Sequence, residues 1–132
     1  MSFLLDTDTC SAHLKTHRAV NNRVLQYAGG IHISTVTVAE LYTWVLRAGI
    51  PPRRLESLEE FLRDVVILDV TQAVAMRFGQ IRASLLDQGL TPPAMDLLIG
   101  STALVHDLTL VTHNTRDFAN IPGLRIMDWL SP

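Results

Sequence analysis

Acidic side chains follow strand-like segments, or open helices, at several separate places in this sequence. Asp6 and Asp8 come directly after the apolar segment "FLL", Glu40 follows "IHISTVT", Asp96 lies in the first turns of an apolar helix, and Asp117 follows "LTLVTHN". Two unit charges about 4 Å apart repel by about 4 kcal/mol at an effective dielectric constant of 20. Carboxylates brought together by folding would therefore take up protons or bind a cation. Oxygen ligands select hard ions, so the expected cation is Mg²⁺ or Mn²⁺.

The elements that would position these acids alternate along the chain. The strand-like segments are "FLLDTD", "IHISTVT", "VVILDV", "LTLVTHN" and a weaker "LRIMDW". The helix-like segments between them are residues 19–28, "VAELYTWVLRAG", "RRLESLEEFLRDV", "TQAVAMRFGQIRASLLDQG" and "TPPAMDLLIGSTALVHD", the last with Thr91 as N-cap and Pro92 in its first turn. Alternation of this kind predicts an α/β fold with a mostly parallel sheet. Ligands of such sheets bind beyond the carboxyl ends of the strands, which is where we expect the acids.

Each acid also has an explanation that requires no ligand. Thr37 and Glu40 have the spacing of a capping box, in which the glutamate bonds back to the N-cap residue. Asp96 would complement the dipole of its helix, an interaction of roughly 0.3–1 kcal/mol. Asp117 could be an ordinary loop acid or cap, and Asp8 the N-cap of the helix that follows it. The residue types alone leave both interpretations open.

Composition limits the classes of protein to which the chain could belong. Its 132 residues suffice for one domain with a core, and 48% of them are hydrophobic. The net charge is −2 and Lys15 is the only lysine, so a protein-wide basic surface for nucleic acid is excluded and phosphate binding must be local. Cys10 is the only cysteine, which excludes an internal disulfide and suits a reducing compartment. We expect neither a signal peptide nor a membrane span.

Three segments resemble one known family. They are "LLDTD", "ISTVTVAELYTW" and the long run "TPPAMDLLIGSTALVHDLTLVTHNTRDFANIPGLRIMDWL". They are similar to the motifs of PIN-domain ribonucleases, specifically the VapC toxins of VapBC toxin–antitoxin pairs, and the similarity covers essentially the whole chain. The resemblance implies a three-layer α/β/α sandwich with a mostly parallel central sheet, formed as a single domain by residues 1–132. It also implies a metal-dependent endoribonuclease toxin in the cytoplasm.

The resemblance assigns the catalytic and metal-binding roles to four acids. Carried over by position, the acidic quartet of the family falls on Asp6, Glu40, Asp96 and Asp117. We expect Asp6 and Asp96 to bind Mg²⁺ or Mn²⁺ directly, and Glu40 and Asp117 to act through water. The bound ion would activate a water molecule and offset charge on the scissile phosphate.

Other polar residues receive supporting roles from the same resemblance. Thr112 is the small polar residue after the last core strand, Asn114 is near it, and Asp8 occupies a position where the family admits several polar residues. Arg116 is adjacent to the site in sequence and is the candidate for contact with RNA. We interpret the basic run at residues 15–18 as a solvated surface.

The resemblance further implies two protein partners. One is a cognate VapB-type antitoxin that inserts a basic side chain toward the acids, and the other is a second copy of the chain in a homodimer. The segment "ELYTWVLRAGI" is a candidate dimer contact, since Tyr42, Trp44 and Val45 make it apolar on more than one face. A core helix is the alternative interpretation of the same pattern.

Two other functions compete with the nuclease. "DTDT" at Asp6 resembles the opening motif of haloacid-dehalogenase-type phosphatases, but Cys10 stands where that motif requires Thr or Val, and the chain has no "GDxxxD" acid pair. A catalytically silent interaction domain, in which the acids only cap helices, is the third hypothesis.

Overall fold

Five parallel β-strands form the central sheet of residues 1–131, which are the residues that this computed structural model describes. The strands are β1 (Phe3–Leu5), β2 (Ile31–Ser34), β3 (Val66–Leu68), β4 (Thr109–Val111) and β5 (Ile126–Met127). Their order across the sheet is β3-β2-β1-β4-β5, and all four neighbouring pairs are parallel. The predicted mostly parallel sheet is therefore confirmed, and it is parallel throughout the part described.

Helices cover both faces of this sheet. They are α1 (Thr7–Leu14), α2 (Arg18–Gln26), α3 (Thr35–Val45), α4 (Arg53–Asp64), α5 (Gln72–Asp87), α6 (Ala94–Val105) and α7 (Thr115–Phe118). The first four contribute to one buried apolar cluster and the last three to another. Strand β1 separates the clusters, because Phe3 and Leu5 face the first while Leu4 faces the second. The three-layer α/β/α prediction is confirmed.

The connections create a crevice at the carboxyl end of β1. The chain runs outward from β1 to β2 and β3, and then returns to β4 on the other side of β1. Ligands of open parallel sheets bind at such a reversal of strand order. The backbone N–H of Asp6 donates to the carbonyl of Val111 at 3.0 Å, which brings the ends of β1 and β4 together.

Two predicted element boundaries near this crevice are wrong. The strand predicted as "IHISTVT" ends at Ser34, because the Ser34 hydroxyl accepts the N–H of Val36 at 3.0 Å and starts α3 at Thr35. Helix α6 begins at Ala94, with Pro93 rather than Thr91 at the N-cap position. β-Branched threonines favour strands by propensity, but the serine cap and the packing of α3 override that preference here.

The segment after β1 is helical, although it was predicted to be part of the extended segment "FLLDTD". Asp6 has extended backbone angles and accepts the N–H of Thr9 at 2.9 Å, which makes it the N-cap of α1. Asp8 is therefore in the first turn of α1, and the strand predicted as "FLLDTD" ends at Leu5. Within residues 1–131, no helix combines the length and apolar character needed to cross a membrane.

Candidate active site

Asp6 is the most deeply buried acid of the crevice. Only 4% of its surface is exposed, and burial is the main reason that its carboxyl pKa is raised. Hydrogen bonds from Thr112 and Thr9 oppose this rise, while the charge of Asp8 adds to it. Asp6 thus caps α1 and also presents a carboxylate that repels further negative charge. The N-cap role considered for Asp8 therefore belongs to Asp6, and it does not account for the acids gathered around this residue.

Glu40 is held by a hydroxyl of a different helix. It is the sixth residue of α3, whose N-cap is Ser34, so the predicted capping box with Thr37 is wrong. Thr37 is fully buried inside the helix. The Thr7 hydroxyl donates to Glu40 Oε1 at 2.5 Å and connects the start of α1 to α3. Glu40 is therefore aimed at the crevice rather than at its own helix terminus.

The pKa of Asp96 shows the effect of the other acids of the crevice. It lies in the first turn of α6, as predicted, and its carboxyl pKa is raised to about 6. Burial is the largest cause, followed by repulsion from Asp117, Glu40, Asp6 and Asp8 in that order. Four acids from three other parts of the chain therefore act on one side chain. Asp117, an exposed residue of α7, is the acid whose charge has the largest of these effects.

Asn114 connects the ends of β4 and β1 across the crevice. Its side-chain amide donates to Asp8 Oδ2 at 2.8 Å, and its backbone N–H donates to the Thr112 hydroxyl at 3.0 Å. Thr112 itself is fully buried and bonds to Asp6. The three supporting residues thus contact the predicted quartet or each other. The sequence predicted that these three residues support the site, but it did not predict these contacts.

Two threonines that sequence reasoning did not select complete the crevice. Thr7 holds Glu40, and the Thr9 hydroxyl donates to the Val111 carbonyl at 3.2 Å. Thr9 is fully buried and also supplies the N–H that Asp6 accepts. In the sequence, the signal for these two threonines was their alternation with aspartate in "DTDT". The sequence interpretation of this segment used only its aspartates.

The candidate dimer helix belongs mainly to the core. In α3, Leu41 and Val45 are buried, and the half-buried Tyr42 and Trp44 pack against the same cluster. Lys15 lies over the Trp44 ring, with Nζ 5.2 Å from the ring centroid. This favours the core alternative for that helix. Arg116 is exposed at the edge of the crevice, beside Asp117, where it was predicted to contact RNA.

The chemistry of the donor set fits a hard divalent cation. The converging groups are carboxylates, and a cation would remove the repulsion that raises the pKa of Asp96. Among residues 1–131, however, no three His, Cys, Asp or Glu side chains are arranged to hold an ion together. Mg²⁺ usually retains several water ligands and is bound through one or two carboxylates. The arrangement of these carboxylates therefore fits an ion that is bound through one or two of them and through water, rather than an ion held by protein ligands alone.

Comparison with known proteins identifies the family. The PIN domain family matches residues 3–124 of the chain. The chain belongs to the PIN domain family. The tRNA(fMet)-specific endonuclease VapC of Shigella flexneri is 37% identical over 130 residues, covering 98% of each chain. Ribonuclease VapC2 of Haemophilus influenzae is 33% identical over 131 residues, covering 98% of this chain and 99% of the relative.

A solved structure agrees in three dimensions. The crystal structure of DNA-bound VapBC from Salmonella typhimurium contains a chain that is 34% identical and superposes with a TM-score of 0.91, covering 98% of both chains. The predicted family is therefore confirmed, and this PIN-domain chain is similar to VapC proteins over nearly its full length.

Proposed function

We propose that this PIN-domain protein is a divalent-metal-dependent endoribonuclease, and that it is the toxin of a VapBC-type toxin–antitoxin pair. The observation that supports this most directly is the placement of acids at the carboxyl end of β1, where Asp6 caps α1, Thr7 donates to Glu40 and Asn114 donates to Asp8. The raised pKa of Asp96 agrees with this placement. The likeness to proteins named VapC, ribonuclease and tRNA-specific endonuclease supports the reaction class.

Asp6 and Asp96 would hold Mg²⁺ or Mn²⁺, with Glu40 and Asp117 orienting the surrounding water. When bound, such an ion acidifies a water molecule and neutralises charge on a phosphate oxygen. Glu40 accepts the Thr7 hydroxyl through one oxygen, which leaves its other oxygen for a water molecule. Thr112 and Asn114 position Asp6 and Asp8 respectively, and Arg116 is available to the phosphate backbone.

The partners follow the same family likeness. We infer a VapB-type antitoxin whose basic side chain enters the acidic crevice, a homodimer, and a cytoplasmic location. The VapBC complex from Salmonella typhimurium supports the antitoxin, since its toxin-like chain is similar to this one. The Shigella flexneri relative is named for tRNA(fMet), so initiator tRNA is the first RNA to test.

The decisive experiment is sequencing of RNA ends after incubation with the purified protein. Cleavage should require Mg²⁺ or Mn²⁺, stop in EDTA, and be lost in Asp6→Asn. Asparagine is as good an N-cap as aspartate, so this variant should keep α1 intact while it removes the charge. Cleavage that persists in Asp6→Asn combined with Glu40→Gln would overturn the proposal.

A further inference from the structure

Two adjoining depressions extend from the acidic crevice along one side of α5. The smaller, about 180 Å³, lies beside Asp117 and is walled by Arg116 and the 90–93 segment. The larger, about 360 Å³, lies between α5 and the segment that follows α7. Leu85 and Asn120 line both of them. We call this continuous surface, from Asp117 to Arg77, the α5 cleft.

The wall of the smaller depression is formed by the backbone at the end of α5. Gly89 has φ of +78° and donates its N–H to the Leu86 carbonyl, and the N–H of Leu90 donates to the Leu85 carbonyl at 2.8 Å. This pair of bonds is a Schellman motif, which reverses the chain with glycine in the left-handed conformation. Leu90 is consequently held in the wall with 37% of its surface exposed.

The polar groups of the cleft are mostly uncharged and regularly spaced. Gln80, Ser84 and Gln88 repeat every four residues on α5, so they lie along one side of the helix. They line the larger depression together with Asn120. Gln88 Nε2 donates to the Ser84 carbonyl at 3.1 Å and to the Ser84 hydroxyl at 3.2 Å. Amides such as those of Gln80 and Asn120 hydrogen-bond to the edges of unstacked bases in single-stranded RNA. The smaller depression is below the roughly 300–1,000 Å³ typical of drug-sized ligands and suits one flat ring.

Charge distinguishes the α5 cleft from a larger cavity on the other side of the sheet. The cleft is lined by two arginines, Arg77 and Arg116, and one acid, Asp117. The larger cavity, about 650 Å³, lies at the amino ends of β2 and β3, and its described lining includes Glu60 and Asp64 but no lysine or arginine. A polyanion is therefore favoured in the cleft and disfavoured in the larger cavity.

We propose that the α5 cleft binds the single-stranded RNA next to the cleavage point, with one unstacked base in the smaller depression against Asn120 and a backbone phosphate at Arg77. This inference rests on the proposed function, because the cleft opens beside Asp117. It assigns substrate selection to Asn120 and the polar face of α5, apart from the acids that perform the reaction.

The first test adds a charge rather than removing one. In an Asp6→Asn background, which prevents cleavage, Ser84→Lys should tighten binding of a fluorescent single-stranded RNA of about ten nucleotides. Each added phosphate contact steepens the dependence of log K on log salt by about 0.7, which is roughly fivefold in affinity at 0.1 M salt. Ala83→Lys is the matched control, since it adds the same charge at the preceding exposed position, outside the cleft.

The second test removes side chains from the cleft. In the Asp6→Asn background, Arg77→Ala should weaken RNA binding by a similar factor and reduce the salt slope by about 0.7, whereas Arg82→Ala, on another side of α5, should change neither. In the active protein, Asn120→Ala should raise KM with little change in kcat and broaden the set of cleaved sequences. Asn22→Ala, an exposed asparagine on α2, is its control.

The outcomes separate this inference from the proposed function. Equal RNA affinity and salt dependence in Ser84→Lys and Ala83→Lys would overturn the cleft proposal. So would an unchanged KM and cleavage pattern in Asn120→Ala while the unmodified protein cuts RNA, and the nuclease assignment would then stand. A protein that neither binds nor cleaves RNA would overturn both.

Discussion

Replacing Asp96 with asparagine should remove the pH dependence that this residue imposes on folding. The folded carboxyl keeps its proton to pH about 6, whereas the ordinary value is 3.8. The folded state therefore binds more protons than the unfolded state between these values. Stability should fall as pH rises through that window, and the Asp96→Asn protein should lack this part of the fall.

The size of the effect follows from the pKa and the exposure of the side chain. A rise of this size corresponds to about 3 kcal/mol at 1.36 kcal/mol per unit of pKa. Asp96 is only half-buried, and screening by solvent reduces the expected effect to roughly 1–2 kcal/mol. The free energy of unfolding of Asp96→Asn minus that of the unmodified protein should therefore increase by this amount between pH 4 and pH 7.

Urea unfolding without metal, followed by the fluorescence of Trp44 and Trp129, measures this difference. At neutral pH, Mg²⁺ at about 100 times its Kd should then stabilise the unmodified protein by about 2.7 kcal/mol and stabilise Asp96→Asn much less. Asp69→Asn is the control, because Asp69 is exposed after β3 and is not among the acids whose charges raise the pKa of Asp96. Parallel pH curves for Asp96→Asn and the unmodified protein, or equal stabilisation of both by Mg²⁺, would refute the reasoning.

Three further substitutions test separate contacts of the crevice. Glu40→Gln keeps an acceptor for Thr7, so its unfolding free energy should stay within about 1 kcal/mol of that of the unmodified protein. RNA cleavage should fall at least about tenfold, and normal cleavage would exclude Glu40 from the site. Thr7→Val removes the donor to Glu40 and should lower the unfolding free energy by roughly 1 kcal/mol in urea, and an unchanged value would show that this bond contributes nothing. Asp8→Asn should weaken RNA cleavage without abolishing it; complete loss, accompanied by loss of a phosphatase activity on p-nitrophenyl phosphate, would instead support the phosphatase hypothesis.

Local sequence patterns predicted most elements but not their boundaries at the crevice. The apolar segments beginning at Phe3, Ile31 and Thr109 are strands as expected, because alternation of strands and helices leaves a parallel sheet as the way to bury them. The boundary at Ser34 was missed, since β-branched residues on either side of a cap look alike in sequence. The helix after Asp8 was considered with Asp8 as its N-cap, and its start at Thr7 was misplaced because Asp6 has two roles and its cap role depends on a backbone N–H three residues later.

The identities of the acids were available from the sequence, whereas their mutual effect was not. The resemblance to PIN-domain ribonucleases assigned the quartet Asp6, Glu40, Asp96 and Asp117, and the alternation of strands and helices predicted that these acids lie at one edge of a parallel sheet. Whether Glu40 caps its own helix or faces the crevice depended on the Thr7 hydroxyl, 33 residues away in the chain. The raised pKa of Asp96 is likewise a sum of burial and of charges from distant segments. A sequence specifies the type and order of such groups, but repulsion and desolvation depend on distances that exist only after the chain has folded.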